Sequence, residues 1–341
     1  MSISESMCEI DLFIKYKSSY LEAFKDLSTH SLYFSLGMYL LWYFRYSTIS
    51  LITIPFMSLM TVRTFLIFHD SCHNSYTPNR ILNYIISHIA GAFVVTSPNW
   101  FLGHHTHHLT NGYIKNDHHY SFNETVPYTK RKFLLKSKWE QRKYMILKNP
   151  LVFFGIVPVM YFLIVQRYVF ALKKYKHPLA FKQSLIRIIM EHIINNVLSF
   201  MYLYNMYQYQ ILPHFFGIAL FATSLAFMLF HNQHTFNPSY VVKDWSVRES
   251  GLRGSSFIQI PWFLKYFFMG IEYHHIHHMY SKLPGYNLQN YHEEINHNIV
   301  QLSMRECYNN LWLVLYDEEK DKYITFDELR NEIKYISIKI D

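Results

Sequence analysis

Twenty-one of the 341 residues are histidine, and their spacing is the feature of this sequence most able to do chemistry. His69 and His73 stand four apart in HDSCH. His104, His105, His107 and His108 make up HHTHH, while His274, His275, His277 and His278 make up HHIHH. His231 and His234 follow the same habit in HNQHTF. Spacings of three and four put side chains on one helix face, so each cluster can present imidazoles towards a common point. Histidine is the commonest protein ligand for transition metals. At this histidine frequency, chance gives one HHxHH in roughly five of a thousand chains and two in roughly one of a hundred thousand. The clusters therefore read as ligands, not as a solvated histidine-rich loop.

Thiolate is almost absent from this chemistry. Cys8, Cys72 and Cys307 are the only cysteines, which excludes a disulfide framework. Structural zinc is closed by four ligands and usually recruits cysteine. Eight or nine imidazoles are too many for one ion, and two ions sharing them is the economical solution. Ligand type alone leaves iron, zinc, copper and nickel open.

The elements that must position these groups are mostly apolar. Half the residues are hydrophobic, 18% are aromatic and only 16% are charged, against roughly 25% charged in an ordinary soluble domain. That balance excludes a disordered chain. The net charge of +8 would permit nucleic acid as a partner. Lysine and arginine lie mostly between hydrophobic segments, however, where the positive-inside rule places them, so no nucleic acid is expected. Apolar stretches run at about 31–46, 49–68, 151–170, 185–206 and 211–230, several near the ~20 residues a spanning helix needs. A shorter one, 81–95, contains Asn83 and His88 and suits an interfacial helix. Residues 1–29 read as a polar, amphipathic cytosolic lead-in without the pattern of a cleaved signal, and 331–341 as a C-terminal tail.

All histidine clusters must meet on one side of the bilayer. An even number of spans therefore separates the second cluster from HNQHTF, although three apolar stretches lie between them. Lys173, Lys174, Lys176 and Lys182 follow 151–170 and should stay cytosolic. This reading makes 151–170, which contains Pro158, re-entrant or interfacial. It lets 185–206 and 211–230 span despite Arg187, Glu191 and His192.

The text around the clusters is similar to that of the membrane fatty acid desaturases, in particular their bacterial-type omega-6, delta-12-like branch. The family's boxes HDxxH, HxxHH and HxxHH match His69–His73, His104–His108 and His274–His278 in order and spacing. RTFLIFHDSCHNSY, FHNQHTFN, GSSFIQIP and YHHIHHMYSKLPGYNL resemble the flanking text, and the likeness covers about residues 30–330 as one desaturase domain. Cys72 departs from the glycine common at that place.

The resemblance implies an all-α integral membrane protein, with four transmembrane helices and a cytosolic helical cap holding a di-iron site. It implies two iron ions with His69, His73, His104, His107, His108, His234, His274, His277 and His278 as ligands. His231, Asp70, His105 and His275 are further candidates, as ligands or as partners of ligands. It also implies molecular oxygen as co-substrate, a fatty acyl substrate, a cis double bond as product and a lipid bilayer as surroundings. The endoplasmic reticulum or a bacterial cell membrane would be the location. An unactivated methylene has no acidic proton and no leaving group, so a redox metal with oxygen suits it where acid–base residues do not. No HPGG haem element or four-cysteine motif occurs, so the electron donor is expected to be a separate b-type cytochrome or ferredoxin.

Two rivals share the sequence features: an acyl hydroxylase or acetylenase on the same site, and a metal transporter with a histidine buffer. The transporter predicts ionisable residues in mid-span, whereas these clusters sit at the ends of apolar stretches. Asp317–Glu328 carries acids at four EF-hand positions, but Lys322 occupies the place that needs glycine, so a solvated tail is the expectation.

Overall fold

The computed structural model describes residues 3–111, 127–165, 183–239, 246–295 and 298–340. Lys173, Lys174, Lys176, Lys182 and the stretch 166–170 lie outside the described residues. The helices are α1 (Ile3–Tyr16), α2 (Tyr20–Tyr43), α3 (Ser50–Cys72), α4 (Arg80–Phe93), α5 (Trp100–Thr110), α6 (Lys130–Leu134), α7 (Lys138–Leu147) and α8 (Leu151–Ile164). They continue with α9 (Leu185–Gln208), α10 (Leu212–His234), α11 (Val247–Gly254), α12 (Lys265–Phe268), α13 (His274–Met279), α14 (Gly285–Glu294), α15 (Met304–Asn310) and α16 (Phe326–Ile340).

Four of these helices have 23 or 24 residues: α2, α3, α9 and α10. Among the described residues, α3 and α10 are long and apolar enough to cross a membrane. α7 and α8 make a pair bent by 59°, the geometry of a broken span or a re-entrant loop. Helix α2 begins well before the apolar stretch at 31–46. Ser19 caps it, its Oγ accepting the N–H of Glu22 at 3.1 Å, and the polar first turns simply extend the rod. At the start of α9, Arg187 Nε donates to Glu191 at 2.8 Å, so the two charges are paired.

Helix α3 is central and packs against α2, α4 and α10, while α9 packs on α4. Gly37 permits the α2–α3 approach, because a Cβ there would collide with the sulfur of Met57. Leu66, Phe68, Trp100 and Ile271 belong to the main buried apolar cluster, directly beneath the histidines.

The architecture is helical, as expected; among the described residues, five strands of two or three residues add two small sheets. Strand β1 (Tyr128–Thr129) pairs in parallel with β4 (Leu315–Asp317), which pairs antiparallel with β5 (Lys322–Ile324). Strand β2 (Phe257–Ile258) pairs in parallel with β3 (Gln301–Leu302). One expectation is corrected: the region after 317 is not a solvated tail. Asp317 is buried in the hairpin, held by Lys130 at 3.2 Å and by the N–H of Glu319 at 3.1 Å. Glu328 instead accepts the N–H of Thr325 at the start of α16, so the acids do not converge as a calcium loop would need.

Candidate metal centre

Two helix ends and two short helices bring the histidines together. His69 lies in the last turn of α3 and His73 directly after it. His104, His107 and His108 line α5, His234 ends α10, and His274, His277 and His278 lie on α13. Each apolar helix thus carries its clustered histidines at its polar end. Gly251 of α11 lets that helix press on α13, since a Cβ there would stand 3.0 Å from the carbonyl oxygen of His275.

The nine imidazoles separate into two groups. His69, His73, His104, His108 and His277 form one, and His107, His234, His274 and His278 the other. Within each group the facing nitrogens all lie within 4.8 Å of one another. Nε2 of His69 is 2.9 Å from Nε2 of His104, which is 3.0 Å from that of His108. Nε2 of His234 is 3.1 Å from that of His107 and 3.0 Å from that of His274.

Hydrogen bonds on the far side of the rings decide which nitrogens carry protons. His69 donates Nδ1–H to Asp70 Oδ1 at 2.9 Å, and His234 donates Nδ1–H to the carbonyl of Gly254 at 2.9 Å. A neutral ring that donates from Nδ1 presents a bare lone pair at Nε2. Those lone pairs point into the groups. Burial and neighbouring imidazoles hold His73, His104, His108, His274, His277 and His278 well below the ordinary histidine value, and burial lowers His107 to about 3. Those seven rings therefore stay neutral at pH 7. Nε2 of His73 is buried and has no hydrogen-bond partner among the described residues.

Converging, neutral, buried lone pairs about 3 Å apart repel one another unless a cation lies between them. Two nitrogens at right angles about one transition-metal ion, each about 2.1 Å from it, would also stand about 3.0 Å apart. The donor set fits two metal ions.

The remaining candidates fall outside both groups. His231 turns away, its Nε2 standing 2.9 Å from the carbonyl oxygen of Asn310. His275 is fully buried with its Nε2 3.3 Å from Nδ1 of His292. His105 is half-buried beside Phe101 and lines a separate cleft. Asp70 touches the centre only through His69, while its other oxygen accepts the N–H of Gly285 at 2.6 Å. Sequence reasoning missed the carbonyl of Gly254, a backbone group with no signature, and Trp100, whose ring stacks on His104 at 4.4 Å.

A narrow apolar cavity of about 90 Å³ touches His69, His104 and His274 and is walled by Phe65, Phe162 and Phe227. A second, of about 40 Å³, shares Val62, Phe65, Phe162 and Ala226 with it and leads away between α3 and α10.

A family model described as fatty acid desaturase matches residues 32–306. The chain belongs to the fatty acid desaturase family. The chain is also 26% identical over 311 residues to a curated fatty acid desaturase of Bacillus subtilis (strain 168), covering 88% of this chain and 84% of that one. The desaturase family is metal-dependent and membrane-associated, which agrees with the histidine groups and with two helices apolar enough to cross a bilayer.

Proposed function

We propose that this protein is an oxygen-dependent membrane desaturase that introduces a cis double bond into a fatty acyl chain at a di-iron site. The observation that carries the reading is the pair of neutral imidazole groups opening onto an apolar cavity. His69, His73, His104, His108 and His277 would hold one iron, and His107, His234, His274 and His278 the other. Bound iron with molecular oxygen supplies the oxidising power that an unactivated methylene requires.

The chain's own contribution is placement and exclusion of water. Phe65, Phe162 and Phe227 line a passage that suits methylenes, each worth about 0.8 kcal/mol on burial. Asp70 and Gly254 orient ligand rings from behind. Reduction of oxygen to two waters takes four electrons. Two come with the hydrogens of the adjacent methylenes and two from a separate carrier, a b-type cytochrome or a ferredoxin.

The likeness of YHHIHHMYSKLPGYNL to the omega-6 branch supports delta-12-like regiospecificity. The four long helices α2, α3, α9 and α10 serve as spans in this reading. α4 lies in the interface and α8 re-enters, which keeps every ligand on the cytosolic face. Residues 127–149 and 246–340 should accordingly label only from that side, and labelling of Lys138 from the opposite face would sink the topology.

The direct test is expression in a desaturase-deficient yeast or bacterium with fatty acid profiling, alongside metal analysis of purified protein. New cis-unsaturated acids and about two irons per chain are expected. Hydroxylated or acetylenic products would assign the same site to the rival chemistry, and full activity with zinc alone would overturn it.

A further inference from the structure

A second cavity near the histidines is larger than the apolar one. A cleft of about 760 Å³ opens beside His73 and is edged by Arg80, Arg187 and Lys282. Arg187 is committed to Glu191, the only carboxylate among the described residues that line it. Lys282 donates to the carbonyl oxygen of His73, and the charge of Arg80 lies near enough to act on its ammonium. Two cations thus face one cavity with no acid between them among the described residues.

Arg80 is also misplaced for helix stability. It is the first residue of α4, whose first turn contains no acid. A cation adds there to the positive end of the helix dipole, where an anion is favoured. Neutral donors point the same way. Oγ of Ser71, a residue only 2% exposed, and Nε2 of Gln183 are buried at this cleft and lack hydrogen-bond partners among the described residues.

The position of the cleft indicates where its ligand comes from. Helix α4 exposes Ile81, Ile85 and Ile89 on one face, as a helix lying in the membrane interface does. Arg80 and Tyr84 line the cleft from that same helix, so it opens at headgroup depth.

We propose that Arg80, Lys282 and the orphan donors of Ser71 and Gln183 bind the phosphate of a membrane phospholipid headgroup. The site takes a phosphodiester entering sideways from the bilayer. This inference rests on the membrane placement of α4 in the reading above, but not on turnover.

The experiment is calorimetric titration of the full chain in detergent with dioctanoylphosphatidylglycerol, with dioctanoylglycerol as the phosphate-free control. Coenzyme A and inorganic phosphate serve as soluble phosphate arms. Phosphatidylglycerol should bind at least about 10-fold more tightly than dioctanoylglycerol, the scale of a lost charge-assisted hydrogen bond. Arg80→Gln should weaken it about 10-fold with metal content unchanged, and Arg80→Lys should restore most of the loss. Lys282→Gln is the independent second lesion should Arg80→Gln fold poorly. Equal binding of the two lipids, or no effect of either glutamine variant, would overturn the proposal. Tighter binding of coenzyme A than of phosphatidylglycerol would overturn the lipid source. None of these readings requires desaturation, so a failed fatty acid profile would count against the proposed function alone.

Discussion

Asp70 joins two distant parts of the chain at one carboxylate: Oδ1 accepts Nδ1–H of His69 at 2.9 Å, and Oδ2 accepts the N–H of Gly285 at 2.6 Å. One side chain thus fixes the His69 ring and ties the end of α3 to the segment that follows the third box. Asp70→Asn keeps the shape, but its amide cannot accept from both donors at once. Metal affinity should fall 10–100-fold, the usual cost of losing a ligand's outer partner. Iron retention against a chelator, measured on folded protein, checks this. Unchanged retention would make Asp70 a helix-end charge and no more.

The boxes contain more histidines than the two groups use. His105→Ala should keep bound iron and most activity, because that ring faces the cleft. His275→Ala should keep iron but lose stability, because the ring is fully buried against His292. His104→Ala, His108→Ala, His234→Ala and His278→Ala should each abolish activity almost completely. Expression, iron content and product should be measured on one set of variants. Equal loss across all of them would contradict the division.

Ala226 lines both apolar cavities. Ala226→Phe should close the passage, leaving iron content intact while turnover of long acyl chains falls at least about 10-fold. Normal turnover would place the acyl chain elsewhere.

Lys148 is buried, with Nζ 4.0 Å from the Phe153 ring, and desolvation lowers it from 10.5 to about 7. A lysine depressed on folding penalises the native state in its ammonium form. The penalty is absent above pH 10.5, grows as pH falls, and is complete below about 7. Lys148→Met should therefore raise Tm at pH 6.5 and leave it unchanged at pH 10.5. A gain of about 3 kcal/mol at the lower pH allows for the lost contact with Phe153. Equal effects at both pH values would mean that packing, not charge, is responsible.

The histidine clusters were legible in the sequence because helical spacing turns positions three and four apart into neighbours. The long helices were legible from their apolar runs, and α9 starts at Leu185 where the pattern placed it. Charged residues hid the true start of α2, since Glu22 and Asp26 fell within the polar, amphipathic lead-in although Ser19 already caps the helix. Division of nine rings into five and four was not legible, because it depends on how α5 and α13 cross. The partners of His231 and His234 are main-chain carbonyls, which any residue can supply. The hairpin at 315–324 was missed because its strands are three residues long and too short for a period to register.

Helix α5 gives His104 and His108 to one group and His107 to the other, while α13 gives His277 to the first and His274 and His278 to the second. Neither group can therefore relax by itself. Two ions held there would stand at a distance set by the pitch of two short helices, so one ion entering its group would order the rods that carry three rings of the other. Loading should be all-or-none: a metal titration would populate empty and doubly filled chains, with the singly filled form scarce.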